Sequence, residues 1–95
     1  NIDKADNIII DTGDLVCFKI LYCTSLYVNG DITAYSINCS SDLFCDGDTY
    51  INTSITCSGV LYVSGELASQ YNPSLTVKGH FYCGTFADWL KVEIG

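Results

Sequence analysis

Six cysteines, one histidine and a recurrent Gly-Asp pair are the residues of this 95-residue chain with chemistry to offer. Nucleophilic catalysis needs a base within hydrogen-bond reach of a Ser, Thr or Cys. His80, the single histidine, stands beside Gly79, and spacing assigns it no nucleophile. Neither a phosphate-cradling loop nor a dinucleotide fingerprint is present. The cysteines are Cys17, Cys23, Cys39, Cys45, Cys57 and Cys83, and no two stand in the C-x-x-C grouping typical of zinc sites. An even count in a short chain suits disulfides in an oxidising compartment. Their place in the pattern below favours reduced, structural cysteines that fill slots between Ala and Val in size. Disulfides remain the alternative for a secreted chain, and a metal site is a third reading. Reduced thiols imply an intracellular, cytoplasmic setting. The expectation is a non-enzyme with no cofactor and no bound metal. Two N-x-S/T sequons, at Asn38 and Asn52, matter only in a chain secreted from a eukaryotic cell.

What must position these residues is a repeat. Leu26-Tyr27-Val28-Asn29-Gly30-Asp31-Ile32 returns as Leu43-Phe44-Cys45-Asp46-Gly47-Asp48-Thr49 and as Leu61-Tyr62-Val63-Ser64-Gly65-Glu66-Leu67. A degenerate fourth copy is Leu75-Thr76-Val77-Lys78-Gly79-His80-Phe81, after an irregular turn at Tyr71-Asn72-Pro73-Ser74. A finer step runs inside this one. Large leaders recur at Leu15, Leu21, Leu26, Ile32, Ile37, Leu43, Thr49, Ile55, Leu61, Leu67, Leu75 and Phe81. Two positions after each comes a smaller residue: Cys17, Cys23, Val28, Ala34, Cys39, Cys45, Ile51, Cys57, Val63, Ser69, Val77 and Cys83. Side chains at i and i+2 of a strand share a face, so leader and follower point together into a core. Three short strands per period make one coil of a three-sided β-solenoid, each coil hydrogen-bonded to its neighbours about 4.8 Å away. Thr49 is the exception among the leaders, and Tyr50 and Ile51 are expected to take over its role. The fold class read from this is all-β: a small three-sided parallel β-helix of about four to five coils with a C-terminal cap. The whole of 1–95 is one domain, with a polar lead-in at 1–7, repeats at 8–83 and the cap at 84–95.

The Leu-x-Val-x-Gly-Asp-Ile grammar resembles the short-repeat β-helix of bactofilins, polymer-forming bacterial cytoskeletal proteins, over roughly residues 8 to 83. The resemblance implies a right-handed triangular solenoid and end-to-end polymerisation without nucleotide.

Two outward columns follow from the register. Ile9, Tyr27, Phe44 and Tyr62 line one face as an apolar strip, if Ile8 and Ile10 lead the first coil. Such a strip is either a protein-binding surface or cross-strand stacking that stabilises the sheet. At the corner after each Gly stand Asp14, Asp31, Asp48 and Glu66, followed by His80. Gly30, Gly47, Gly65 and Gly79 are expected to supply positive-φ corners there. The carboxylates read as turn chemistry, as an electrostatic site for a basic partner, or as a Ca²⁺ site, although a linear row converges poorly on a hard cation.

Composition narrows the function classes. Four Lys+Arg against eleven Asp+Glu give a net charge of −7, which repels nucleic acid and anionic membranes, so neither direct nucleic-acid binding nor membrane binding is expected. No apolar run is long enough to span a bilayer. The chain has no Met and opens on Asn1, which points to a trimmed N-terminus. Open solenoid ends must be capped or must polymerise. Trp89, in the segment Ala87 to Val92, is the candidate plug, and the N-terminal end is the expected edge for homo-oligomer formation. Two functions fit: a non-catalytic protein-interaction or self-assembly module, or a small acidic inhibitor of the phage counter-defence type that blocks a basic nucleic-acid-binding site on a partner protein.

Overall fold

The computed structural model describes residues 4–69, 73–86 and 91–94. They form an all-β molecule of strands β1 (Lys4–Ile10), β2 (Leu15–Val28), β3 (Ile32–Cys39), β4 (Leu43–Cys45), β5 (Thr49–Cys57), β6 (Leu61–Ala68), β7 (Ser74–Val77), β8 (Phe81–Phe86) and β9 (Lys91–Ile94). Every strand pairing is parallel. Parallel neighbours without helical crossovers require the chain to return to the same face one coil later, which is the solenoid. The longer strands wrap a corner, so one strand serves two faces; β2 does this with a register shift between Cys17 and Ile20.

The leaders stack as their six-residue step demands. On the first face Leu15, Ile32, Thr49 and Leu67 are in register. The second face stacks Leu21, Ile37, Ile55 and Leu75. On the third, Ile8, Leu26, Leu43, Leu61 and Phe81 align. Together with the smaller followers they form one continuous buried core. Phe81 and Cys83 pack only partly, because among the described residues theirs is the last rung of this face.

Several expectations are corrected. Thr49 keeps the leader's place itself, 1% exposed, while Tyr50 points outward and Ile51 fills the follower slot. The fourth copy stands one face out of step with the other three: Leu75 stacks on Ile55, and Phe81, not Leu75, continues the Leu61 column. Leu75 lies 75 − 55 = 20 residues after its partner Ile55, against 55 − 37 = 18 for Ile55 after Ile37, so matching Gly to Gly misleads where matching leader to leader does not. The lead-in is partly strand, since Lys4 and Ala5 already pair with Tyr22 and Cys23. Within the segment assigned to the cap, 84–86 complete β8 and β9 pairs with β7, adding a further rung to the second face. Trp89, Tyr71 and Asn72 lie outside the described residues.

The glycines serve a different purpose from the one their sequence context suggests. Among the described glycines only Gly13, with φ 115°, occupies the positive-φ region. Gly30, Gly47, Gly65 and Gly79 are needed because the coil below is too close. A Cβ on Gly47 would lie 2.6 Å from the Gly30 carbonyl oxygen and would also meet the Asp31 carboxylate; one on Gly65 would lie 2.7 Å from the Gly47 oxygen and meet Asp48.

Candidate functional site

The outward residue between leader and follower on the third face builds the strip. Tyr27, Phe44, Tyr62 and Tyr82 occupy successive rungs, with Ile9 below Tyr27. Ring centroids are 4.9, 4.7 and 4.9 Å apart and the planes are within 6°, 7° and 13° of parallel. Rungs about 4.8 Å apart hold rings at stacking distance with no adjustment of the backbone. The stacking has a consequence for recognition. Phe44 and Tyr62 have both ring faces covered by neighbours, so the middle of the ladder offers solvent only C–H edges and the Tyr62 hydroxyl. Each end member has one face not used in the ladder. Ile9, Tyr27 and Tyr82 are accordingly 68%, 39% and 54% exposed, whereas Phe44 and Tyr62 are half-buried. Sequence reasoning does not reach Tyr82: its place directly after the leader Phe81 marks it as outward-facing, but only the pairing of Phe81 with Leu61 assigns it to this face.

The acidic corner, where the third face turns into the first, is a hydrogen-bonded ladder. The N–H groups of Asp31, Asp48 and Glu66 donate to Oδ1 of Asp14, Asp31 and Asp48 respectively, each at 2.8 Å. An aspartate side chain spans one coil spacing, and an ionised acceptor strengthens the bond. Turn chemistry therefore accounts for the column, and it explains the adjoining glycines, whose missing Cβ leaves room for the carboxylate beneath. A carboxylate directly before a leader is the sequence signal. The same signal holds for Asp42 before Leu43, at the corner between second and third faces, where the Val60 N–H donates to Asp42 Oδ1 at 2.8 Å. His80 belongs to this second corner, where its carbonyl accepts the Leu61 N–H at 2.8 Å, and not to the acidic one as expected; Thr85 pairs with Glu66 instead.

Cys17, Cys23, Cys39, Cys45 and Cys57 are buried and Cys83 is half-buried, and none is in a disulfide. Cys23, Cys39 and Cys57 stack on one column of the second face. Several of the buried thiols donate to carbonyls at the corners, on their own coil and on the neighbouring one. Cys39 Sγ lies 3.1 Å from both the Thr24 and Asp42 oxygens, Cys57 Sγ is 3.2 Å from Ser41 O, and Cys45 Sγ is 3.2 Å from Gly30 O. The hydrogen bond with Cys23 pushes the Cys39 thiol up to about 11. The hydrogen bond with Cys39 and burial push Cys57 up as well, and burial raises Cys45 and Cys83. These thiols stay protonated near neutral pH and are poor nucleophiles. No group of three or more His, Cys, Asp or Glu among the described residues has the arrangement to hold a metal ion.

At the N-terminal foot of the ladder lies a groove of about 390 Å³ lined by Ile9, Ser25, Tyr27, Asp42 and Phe44, with Asn7 and Ile8 at its base. A run of exposed apolar side chains on the same coil, Val16, Phe18, Ile20 and Tyr22, was also missed, since Phe18 and Ile20 fall in a corner between leaders.

The columns and corners together define a three-sided parallel β-solenoid carrying an outward aromatic ladder. No family model, curated protein or solved structure matches the chain.

Proposed function

We propose that this chain is a non-catalytic protein-interaction module that docks partners through the third face and the solenoid's N-terminal edge. The observation that carries this reading is the apolar strip itself. Beyond the stacked rings, Ile9 and Tyr82 keep most or half of their surface in water, and large contiguous exposed apolar patches mark interfaces. Stacking explains the middle of the ladder; it does not explain the apolar ends. The test uses an end residue, because replacing a middle ring would break two stacks and confuse binding with folding. Tyr82→Ser should leave the thermal midpoint within a few degrees of the parent and abolish capture of the partner recovered by the parent chain. Retained capture would refute the reading. Self-association is the homotypic form of the same activity, and it is the form that the resemblance to bactofilins implies.

The acidic corner supports a second reading, that of an inhibitor occupying a basic nucleic-acid groove on another protein. Asp14, Asp31, Asp48 and Glu66 line one exposed edge, and accepting one N–H leaves a carboxylate's charge in place. Binding of this kind weakens as salt rises and with Asp31→Asn plus Asp48→Asn. Asparagine still offers an oxygen to the N–H above, so the fold is retained. Binding insensitive to both salt and this pair would exclude it.

A further inference from the structure

We propose that the groove at the foot of the aromatic ladder is a subsite for an arginine side chain of a protein partner, a proposal that rests on the protein-interaction reading above. Three features of the groove select that side chain. The first is a partly open ring: Tyr27 stacks on Phe44 on one side, has Ile9 as its rung neighbour on the other, and remains 39% exposed along the groove. A planar guanidinium entering the groove beside Ile9 can lie against the exposed part of this aromatic ring. The second is the apolar lining from Ile9 and Phe44, which suits the three-carbon stem of arginine. The third is Asp42, an exposed carboxylate in the lining. Its Oδ1 accepts the Val60 N–H, and among the described residues Oδ2 has no partner. None of the lining residues is a cation, and the chain carries a net charge of −7, so the complement is a positive group. Lysine meets the charge requirement but not the planar one.

The test titrates the isotopically labelled chain with acetyl-arginine amide, acetyl-lysine amide and the neutral isostere acetyl-citrulline amide, following backbone amide resonances. Arginine should shift Ile9, Ser25, Tyr27 and Asp42 in a saturable way, with citrulline and lysine weaker by roughly 3-fold or more. Asp42→Asn keeps an acceptor for Val60 N–H and therefore the corner; it should weaken arginine roughly 3-fold to 5-fold. Tyr27→Leu should remove the preference for arginine over lysine. Equal shifts from citrulline, equal affinity for lysine, or shifts centred on the Asp14–Glu66 corner would each overturn the proposal. Failure of the parent reading has a separate signature: partner capture indifferent to Tyr82→Ser, whatever the small-molecule titration shows.

Discussion

Single residues in this chain are constrained by the coil beneath them. At Gly47 the conflict is steric: a methyl group would sit against the Gly30 carbonyl and the Asp31 carboxylate. Gly47→Ala should therefore lower stability by about 1–3 kcal/mol, the range for overpacking, read from the urea midpoint. Removing the lower carboxylate tests the other half of the pair. Asp31→Ala strips the Asp48 N–H of its acceptor and should cost about 1 kcal/mol, whereas Asp31→Asn, which keeps an oxygen there, should cost clearly less. Cysteine is constrained by protonation. The hydrogen bond between Cys23 and Cys39 pushes the Cys39 thiol up from 9.0 to about 11 and lowers that of Cys23. At Cys39 folding therefore favours the protonated thiol, and its contribution is complete below pH 9 and is lost as pH rises from about 9 to 11. Stability measured across that window should fall for the parent chain and fall less for Cys39→Ala at the same column position.

At the scale of elements, the third face behaves as a sheet with two roles divided along its length. Its middle rungs hold the rings in mutual contact, and its end rungs expose apolar surface. Tyr62→Leu removes both of its stacks and should cost about 1–3 kcal/mol by chemical denaturation, given about 0.5–1.5 kcal/mol per aromatic pair. Tyr82→Leu loses a single stack and should cost about half as much. A reversed order would show that the ladder contributes little to the sheet. The alternation of leader, outward residue and follower made the members of this face legible in the sequence as far as Tyr62. Where the step from Leu67 to Leu75 departs from six residues, the period stops being informative, and only pairing of Phe81 with Leu61 places Tyr82 in the column.

For the molecule as a whole, the first coil is the one most suited to association. It carries Ile9, Val16, Phe18, Ile20 and Tyr22 exposed, and along its Leu15–Cys17 segment the described residues supply a paired neighbour on one side only. An apolar edge strand of this sort is a template for another chain. Sedimentation velocity over a concentration series should show reversible association by the parent chain that Phe18→Ser removes without loss of stability, since Phe18 is 75% exposed. A parent chain that stays monomeric at high concentration would eliminate the self-assembly form of the proposed function. High salt should strengthen such contacts by screening the net charge of −7.

The sequence by itself determined the solenoid, its three faces and the direction of nearly every side chain, because a two-residue alternation inside a six-residue step leaves one way to bury the leaders. It also placed all six cysteines on the inside and Tyr27, Phe44 and Tyr62 on the outside. Only the tertiary structure decided why glycine precedes the corner aspartates, that those aspartates accept N–H groups from the coil above, and that the rings cover one another's faces while leaving a groove at Tyr27. These are contacts between coils 17 or 18 residues apart. Their distances depend on how far adjacent coils are displaced along and across the axis, a quantity that no local pattern of residues encodes.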